Sequence, residues 1–179
     1  QKETHMKRIV STGSIRVLTL GAAFAAAGAA AGEKAVVEAE EAGAAAVTVE
    51  AEAALVSSYL WRGQLLNDRP VLQPAATIAA HGYSLNVWAN ANLTDRVGDS
   101  REFNEVDLAL AYVRTVGLLD LEAGWIEYLF PNTPWIRTRE VYLCAGVSKW
   151  PVAPSLTLYY DLDEVDSCYA VAALEYSHE

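Results

Sequence analysis

From residue 47 onward, apolar and polar side chains alternate with a period of two, the spacing of strands that present different chemistry on their two faces. The clearest stretch is 83–94. Tyr83, Leu85, Val87, Ala89, Ala91 and Leu93 share one face, and Ser84, Asn86, Trp88, Asn90, Asn92 and Thr94 share the other. The same pattern predicts strands over 47–66, 71–80, 103–115, 118–130, 139–150, 155–164 and 168–178, the last being the weakest. In 103–115, Val106, Leu108, Leu110 and Tyr112 oppose Glu105 and Asp107. In 118–130, Leu119, Leu121, Ala123 and Trp125 oppose Asp120 and Glu122. A soluble sandwich also alternates in this way. Recurrence over the whole chain, with carboxylates and amides on the polar face, is the mark of a membrane barrel.

The connections carry a second signal. His81-Gly82 and Val116-Gly117 are tight turns, and Pro151 to Pro154 is a short Pro-containing link. The segments 95–102 and 131–138 are longer and polar. Short turns at one end and long loops at the other are the barrel arrangement. The 67–70 connection is shorter than that trend. Lipid leaves no open strand edge unpaired, so such a sheet is expected to close. The predicted fold is therefore all-β, an antiparallel up-and-down transmembrane β-barrel with eight strands visible. Tyr59, Trp61, Tyr83, Tyr112, Trp125, Trp135, Trp150 and Tyr160 fall near strand ends, where interfacial aromatic girdles form.

The N-terminal part reads differently. Lys7, Arg8 and Arg16 precede an Ala-rich apolar stretch from Val17 to Ala31, with Ala29 and Ala31 in A-x-A spacing before Gly32. That is the layout of a secretory signal peptide, here 1–31, with Met6 as the expected initiator. A short membrane anchor is the alternative, although a spanning helix needs ~20 apolar residues. Residues 32–46, rich in Ala and Glu, are expected to form a periplasmic lead-in, either flexible or briefly helical. The barrel domain then occupies 47–179, at the bacterial outer membrane.

Charge narrows the partners. The chain has 13 Lys+Arg against 23 Asp+Glu, a net charge of −10, and the leader removes more bases than acids. Nucleic acid is an unsuitable partner, since phosphate contacts require Lys and Arg. The partners expected are outer-membrane lipid and small hydrophilic solutes, with homo-oligomerisation left open. Cys144 and Cys168 fall on predicted strands two apart, roughly 9–10 Å from each other. A disulfide needs Cα atoms within about 7 Å, so two free thiols are expected.

Particular runs add a resemblance. Ser57-Ser58-Tyr59-Leu60-Trp61-Arg62-Gly63, followed by Pro70-Val71-Leu72-Gln73-Pro74, resembles uncharacterised porin-like outer-membrane proteins of Gram-negative bacteria. The Val-Trp-Ala-Asn core of 83–92, Phe103-Asn104-Glu105-Val106-Asp107, Phe130-Pro131-Asn132, Glu140-Val141-Tyr142 and Leu158-Tyr159-Tyr160-Asp161 fit as well. The resemblance covers about 55–179 and implies a barrel of more than eight strands. It also implies a final aromatic residue, whereas this sequence ends Tyr176-Ser177-His178-Glu179. Truncation at the C-terminus is the reading that follows; a complete eight-stranded barrel is the alternative.

A search for chemistry finds none. His5, His81 and His178 are scattered, with neither metal spacing nor a nucleophilic partner set, and no Gly-rich phosphate loop occurs. No catalytic residue, metal site or cofactor is expected. Asp161, Asp163, Glu164 and Asp166 read as a solvated acidic loop. The functional candidates are instead the residues of polar parity: Glu50, Glu52, Arg62, Asn86, Asn90, Glu105, Asp107, Asp120, Glu122, Glu140, Asp161 and Asp163. Carboxylates are costly on a lipid face. Lining a water-filled lumen, they favour cations. The expected function is a porin-like channel for small hydrophilic solutes, cation-preferring. A non-conducting structural or surface-binding barrel is the alternative, and a soluble periplasmic β-domain a third.

Overall fold

The structure, a computed structural model, describes residues 37–38, 47–147 and 149–176. The expected leader lies outside these residues, as does most of the expected lead-in. The described residues form strands β1 (Val37–Glu38), β2 (Thr48–Val56), β3 (Tyr59–Trp61), β4 (Gln64–Asn67), β5 (Val71–Ala80), β6 (Tyr83–Asn92), β7 (Phe103–Val116), β8 (Leu119–Leu129), β9 (Thr138–Gly146), β10 (Val152–Asp161) and β11 (Cys168–Tyr176).

Nine of them make one antiparallel sheet in the order β1-β2-β5-β6-β7-β8-β9-β10-β11. From β5 onward this is an up-and-down meander, each strand paired with its neighbour in sequence. Two parts of the sequence reading are corrected. The predicted strand over 47–66 is interrupted at Ser57-Ser58, and β3 and β4 pair with each other as a separate two-stranded sheet. Within the lead-in, Val37–Glu38 is extended and pairs with Ala51 and Glu50.

The hairpin resolves the short 67–70 connection. Residues 57–70 together link β2 to β5, and they lie at the same end of the sheet as 93–102, 130–137 and 162–167. The opposite end carries the connections 81–82, 117–118 and 147–151. At the first of these, His81 and Gly82 both have positive φ, 54° and 84°, as a two-residue turn of matching twist requires. A Cβ on Gly82 would lie 2.8 Å from the Val113 carbonyl oxygen, so this turn sits hard against β7.

Pairing rows climb across the sheet. Ala51 faces Ala76, which faces Val87, then Leu108, Glu127 and Arg139. Beyond Arg139, the row passes to Leu162, whose N–H donates to the Arg139 carbonyl after β10 has ended. A row that starts in the middle of β2 thus leaves at the far end of β10. The strands are staggered in one sense throughout. Among the described residues, β11 pairs with β10 alone.

The two faces are inverted relative to a water-soluble sheet. Leu143 and Leu158 are 56% and 51% exposed, as are Leu85, Leu110, Leu156 and Leu174 to similar or greater degree. On the other face Asp107, Glu122 and Glu140 are only 2–3% exposed. Burying a leucine side chain is worth roughly 1.5–3 kcal/mol, and this sheet leaves a whole face of them open.

The inner face is closely packed. Gly124, Tyr142, Tyr159 and Tyr169 form one row across β8 to β11. The Tyr142 and Tyr159 ring centroids lie 5.4 Å apart, and Tyr159 and Tyr169 lie 6.1 Å apart. The Tyr142 ring leans over Gly124, where any Cβ would collide with it. That tilt carries the Tyr142 hydroxyl to Glu122 Oε1, to which it donates at 2.5 Å. Both cysteines are free, Cys144 buried on the inner face and Cys168 exposed on the outer one.

Gly124→Ala is therefore expected to destabilise the fold by about 1–3 kcal/mol, the usual range for overpacking. Adding Tyr142→Ala should recover part of that loss. Denaturant unfolding of the full chain reads both; an unchanged midpoint in Gly124→Ala would contradict the packing described.

Candidate functional site

The alternation of sequence places Asn90, Glu105, Asp107, Asp120, Glu122, Glu140 and Asp161 together on the buried inner face, as their parity predicts. Asn86 shares that face and donates to Thr77 Oγ1 at 2.8 Å. Glu50 and Glu52 have the same parity on β2 but remain exposed near the edge of the sheet. Asp163 lies past the end of β10, in the 162–167 connection, so it is not part of the inner face. There it accepts two hydrogen bonds from Arg139, at 2.8 and 2.7 Å.

Arg62 reaches the inner face by an unexpected route. It stands at the tip of the β3–β4 hairpin, which folds back over the polar face of the sheet. Tyr59 packs on Trp88 with ring centroids 5.7 Å apart, and Trp61 meets Tyr128 edge-on at 6.2 Å. Asn67 Nδ2 donates to Asn92 Oδ1 at 2.8 Å. Tyr59 and Trp61, read from sequence as girdle residues, are instead part of this inward contact. Tyr59 is buried and hydrogen-bonded to Glu105.

The hairpin's main polar contact is bidentate. Arg62 Nη1 and Nη2 each donate to one Glu140 carboxylate oxygen at 2.6 Å. The Tyr128 hydroxyl donates to Glu140 Oε2 at 2.9 Å. The Arg62 Cζ lies 4.4 Å from the Trp61 ring centroid, 4.7 Å from that of Tyr159 and 4.4 Å from that of Tyr169. A guanidinium fork matched to a carboxylate and stacked on aromatic faces is among the strongest polar arrangements side chains offer.

The remaining acids are held by neutral donors. Thr115 donates to Asp120 at 2.6 Å, and Thr138 to Asp161 at 2.7 Å. Asp161 also accepts the backbone N–H groups of Asp163 and Val165, which folds the start of the 162–167 connection around it. Amides make a second network nearby. Gln73 donates to Asn90 at 3.1 Å, Asn90 to Asn104 at 2.7 Å, and Asn92 to the Val97 carbonyl. Among the described residues, no group of three His, Cys, Asp or Glu side chains is placed to hold a metal ion.

Sequence reasoning named no tyrosine among the candidate residues, although the non-conducting alternative pairs inward acids with Arg and Tyr. Tyr128, Tyr142 and Tyr159 have inward parity and were legible as such. Their roles as donors to Glu140 and Glu122, and as a surface for Arg62, depend on cross-strand register, which parity does not supply.

Breaking the ion pair tests this geometry. Arg62→Ala leaves the Glu140 charge without its partner and is expected to cost about 3–5 kcal/mol. Arg62→Ala with Glu140→Gln should regain part of that loss in denaturant unfolding, and strictly additive losses would disprove the contact. At the sheet end, the hydrogen bonds from Arg139 hold the Asp163 carboxyl below its ordinary range. A depressed folded value means a contribution present above about pH 3.9 and lost as pH falls through that lower value. Carboxyl carbon NMR of Asp163 should therefore show a titration midpoint that rises toward about 3.9 in Arg139→Gln. Coincident curves for the two proteins would contradict it.

No curated protein and no solved structure matches the chain. One family model does, over residues 39–153, spanning β2 to the start of β10 and including the hairpin, Arg62 and Glu140. Its description is a bacterial protein of unknown function, in keeping with the resemblance to an uncharacterised bacterial family read from the sequence. The chain belongs to this family, Gcw_chp.

Proposed function

We propose that the chain crosses the outer membrane by its strands and lines a passage for small hydrophilic solutes, with a preference for cations. The observation that carries this reading is the inversion of the two faces. A sheet with leucines outward and carboxylates inward has its low-energy environment in lipid, where charged groups on the outer face would be costly.

Three further features support it. The uniform stagger of the strands is what closing a sheet into a barrel requires. Short connections at one end and long ones at the other match the barrel arrangement. Exposed aromatic side chains occur near both ends, Tyr83, Tyr112, Trp150 and Tyr176 at one and Trp135 and Tyr160 at the other, where interfacial rings sit. Among the described residues no helix is long and apolar enough to cross a membrane.

A second reading has its own observation. The β3–β4 hairpin packs against the inner face, and a barrel filled in this way would be a non-conducting structural or surface-binding one. The two readings share the fold and differ in current.

The full chain, refolded in detergent, should migrate differently on a gel before and after boiling, as closed barrels do. In planar bilayers with a salt gradient, the reversal potential should show cation preference. Anion preference would overturn the role given to Glu105, Asp107, Glu122 and Glu140. A heat-modifiable protein without current would select the non-conducting reading. A chain that folds as a monomer without detergent would remove the membrane altogether.

A further inference from the structure

The β3–β4 hairpin is a sheet of its own, laid on the nine-stranded sheet by side chains. Its tip is unusual. Arg62 has φ +46° and Gly63 φ +79°. The first position of such a turn ordinarily holds Asn, Asp or Gly, which tolerate left-handed backbone. Arginine does nothing for the turn itself. Its contribution lies at the far end of the side chain.

There the guanidinium meets a complete receptor. Glu140 accepts from its Nη1 and Nη2 at 2.6 Å each, and the Tyr128 hydroxyl donates to the same carboxylate at 2.9 Å. Tyr159 and Tyr169 offer ring faces at 4.7 and 4.4 Å. All four receptor residues belong to the sheet, on β8, β9, β10 and β11. The cation, together with Trp61, belongs to the hairpin. Receptor and occupant thus stand on separate units.

We propose that Glu140, Tyr128, Tyr159 and Tyr169 form a binding site for the guanidinium group of a small solute, and that Arg62 is its tethered occupant. A guanidinium-bearing solute displaces Arg62 and frees the hairpin from the inner face. The site selects guanidinium over alkylammonium, because only the planar fork satisfies both carboxylate oxygens while stacking on the rings. A tethered competitor acts at an effective concentration of about millimolar or above, so the native chain responds weakly and a chain lacking Arg62 responds strongly. The inference deepens the channel reading in one respect: the solute reaches the inner face from water.

The test uses the full chain in detergent micelles, with tryptophan fluorescence reporting on Trp61 beside Tyr128. Methylguanidinium chloride is titrated against methylammonium chloride and sodium chloride at equal ionic strength. In Arg62→Gln, half-saturation by methylguanidinium should fall by about tenfold or more relative to the native chain. Methylammonium should give no saturable change, and Arg62→Gln with Glu140→Gln should lose the response. Equal responses to the two cations, or a response that survives in the double variant, would overturn the site. Should Arg62→Gln fail to fold, the native chain and Tyr169→Leu carry the test. A saturable, methylguanidinium-specific change in the native chain, weakened several-fold in Tyr169→Leu, supports the site, and its absence overturns it. Bilayer currents separate this inference from the channel reading. Specific binding without current sinks the channel and keeps the site; current without specific binding does the reverse.

Discussion

A carboxylate withdrawn from water must find donors or a counter-charge. That requirement organises the inner face of this sheet. Each strand from β7 to β10 brings at least one acid to it, and each acid that is satisfied there draws in a particular neighbour. Glu122 draws the Tyr142 hydroxyl, Asp120 draws Thr115, and Asp161 draws Thr138 together with two backbone N–H groups. Glu105 is met by Tyr59 from the hairpin. Glu140 receives both Arg62 and Tyr128. Neutral hydroxyls thus do most of the work, and one guanidinium brings a whole hairpin onto the sheet.

The same requirement explains why packing and polarity are inseparable here. Tyr142 reaches Glu122 because Gly124 gives its ring a place to lie. Tyr159 and Tyr169 continue the row and become the surface on which Arg62 rests. A single missing Cβ on β8 therefore supports contacts that extend three strands away. The outer face differs: its leucines are largely exposed, while Tyr83 and Tyr112 pack on one another there with ring centroids 4.6 Å apart.

Much of the fold was legible in the sequence, because period-two alternation is a property of single strands. The extent of β5 follows directly from it, and β6 to β11 differ from their expected extents by only a few residues. The assignment of Glu105, Asp107, Asp120, Glu122 and Glu140 to one buried face needed nothing beyond parity. What was not legible depended on interruption and register. Tyr59 to Asn67 continues the alternating composition of β2, so nothing in the spacing separates a hairpin from a longer strand. The break becomes visible only when Arg62-Gly63 is read as a turn with two left-handed residues, and arginine is a poor signal for that position. Asp163 was misplaced for the converse reason: alternation runs on past Asp161, while the chain turns away to bring backbone N–H groups to that carboxylate.

The two cysteines stand two strands apart and on opposite faces, Cys144 inward and Cys168 outward. They cannot be joined within one copy without dismantling the sheet between them. Their reactivities consequently report on different faces of the sheet. Cys144 is reached only when the packing of the polar face opens, whereas Cys168 meets a thiol reagent directly. The native chain thereby carries a chemical label for each face of its own sheet.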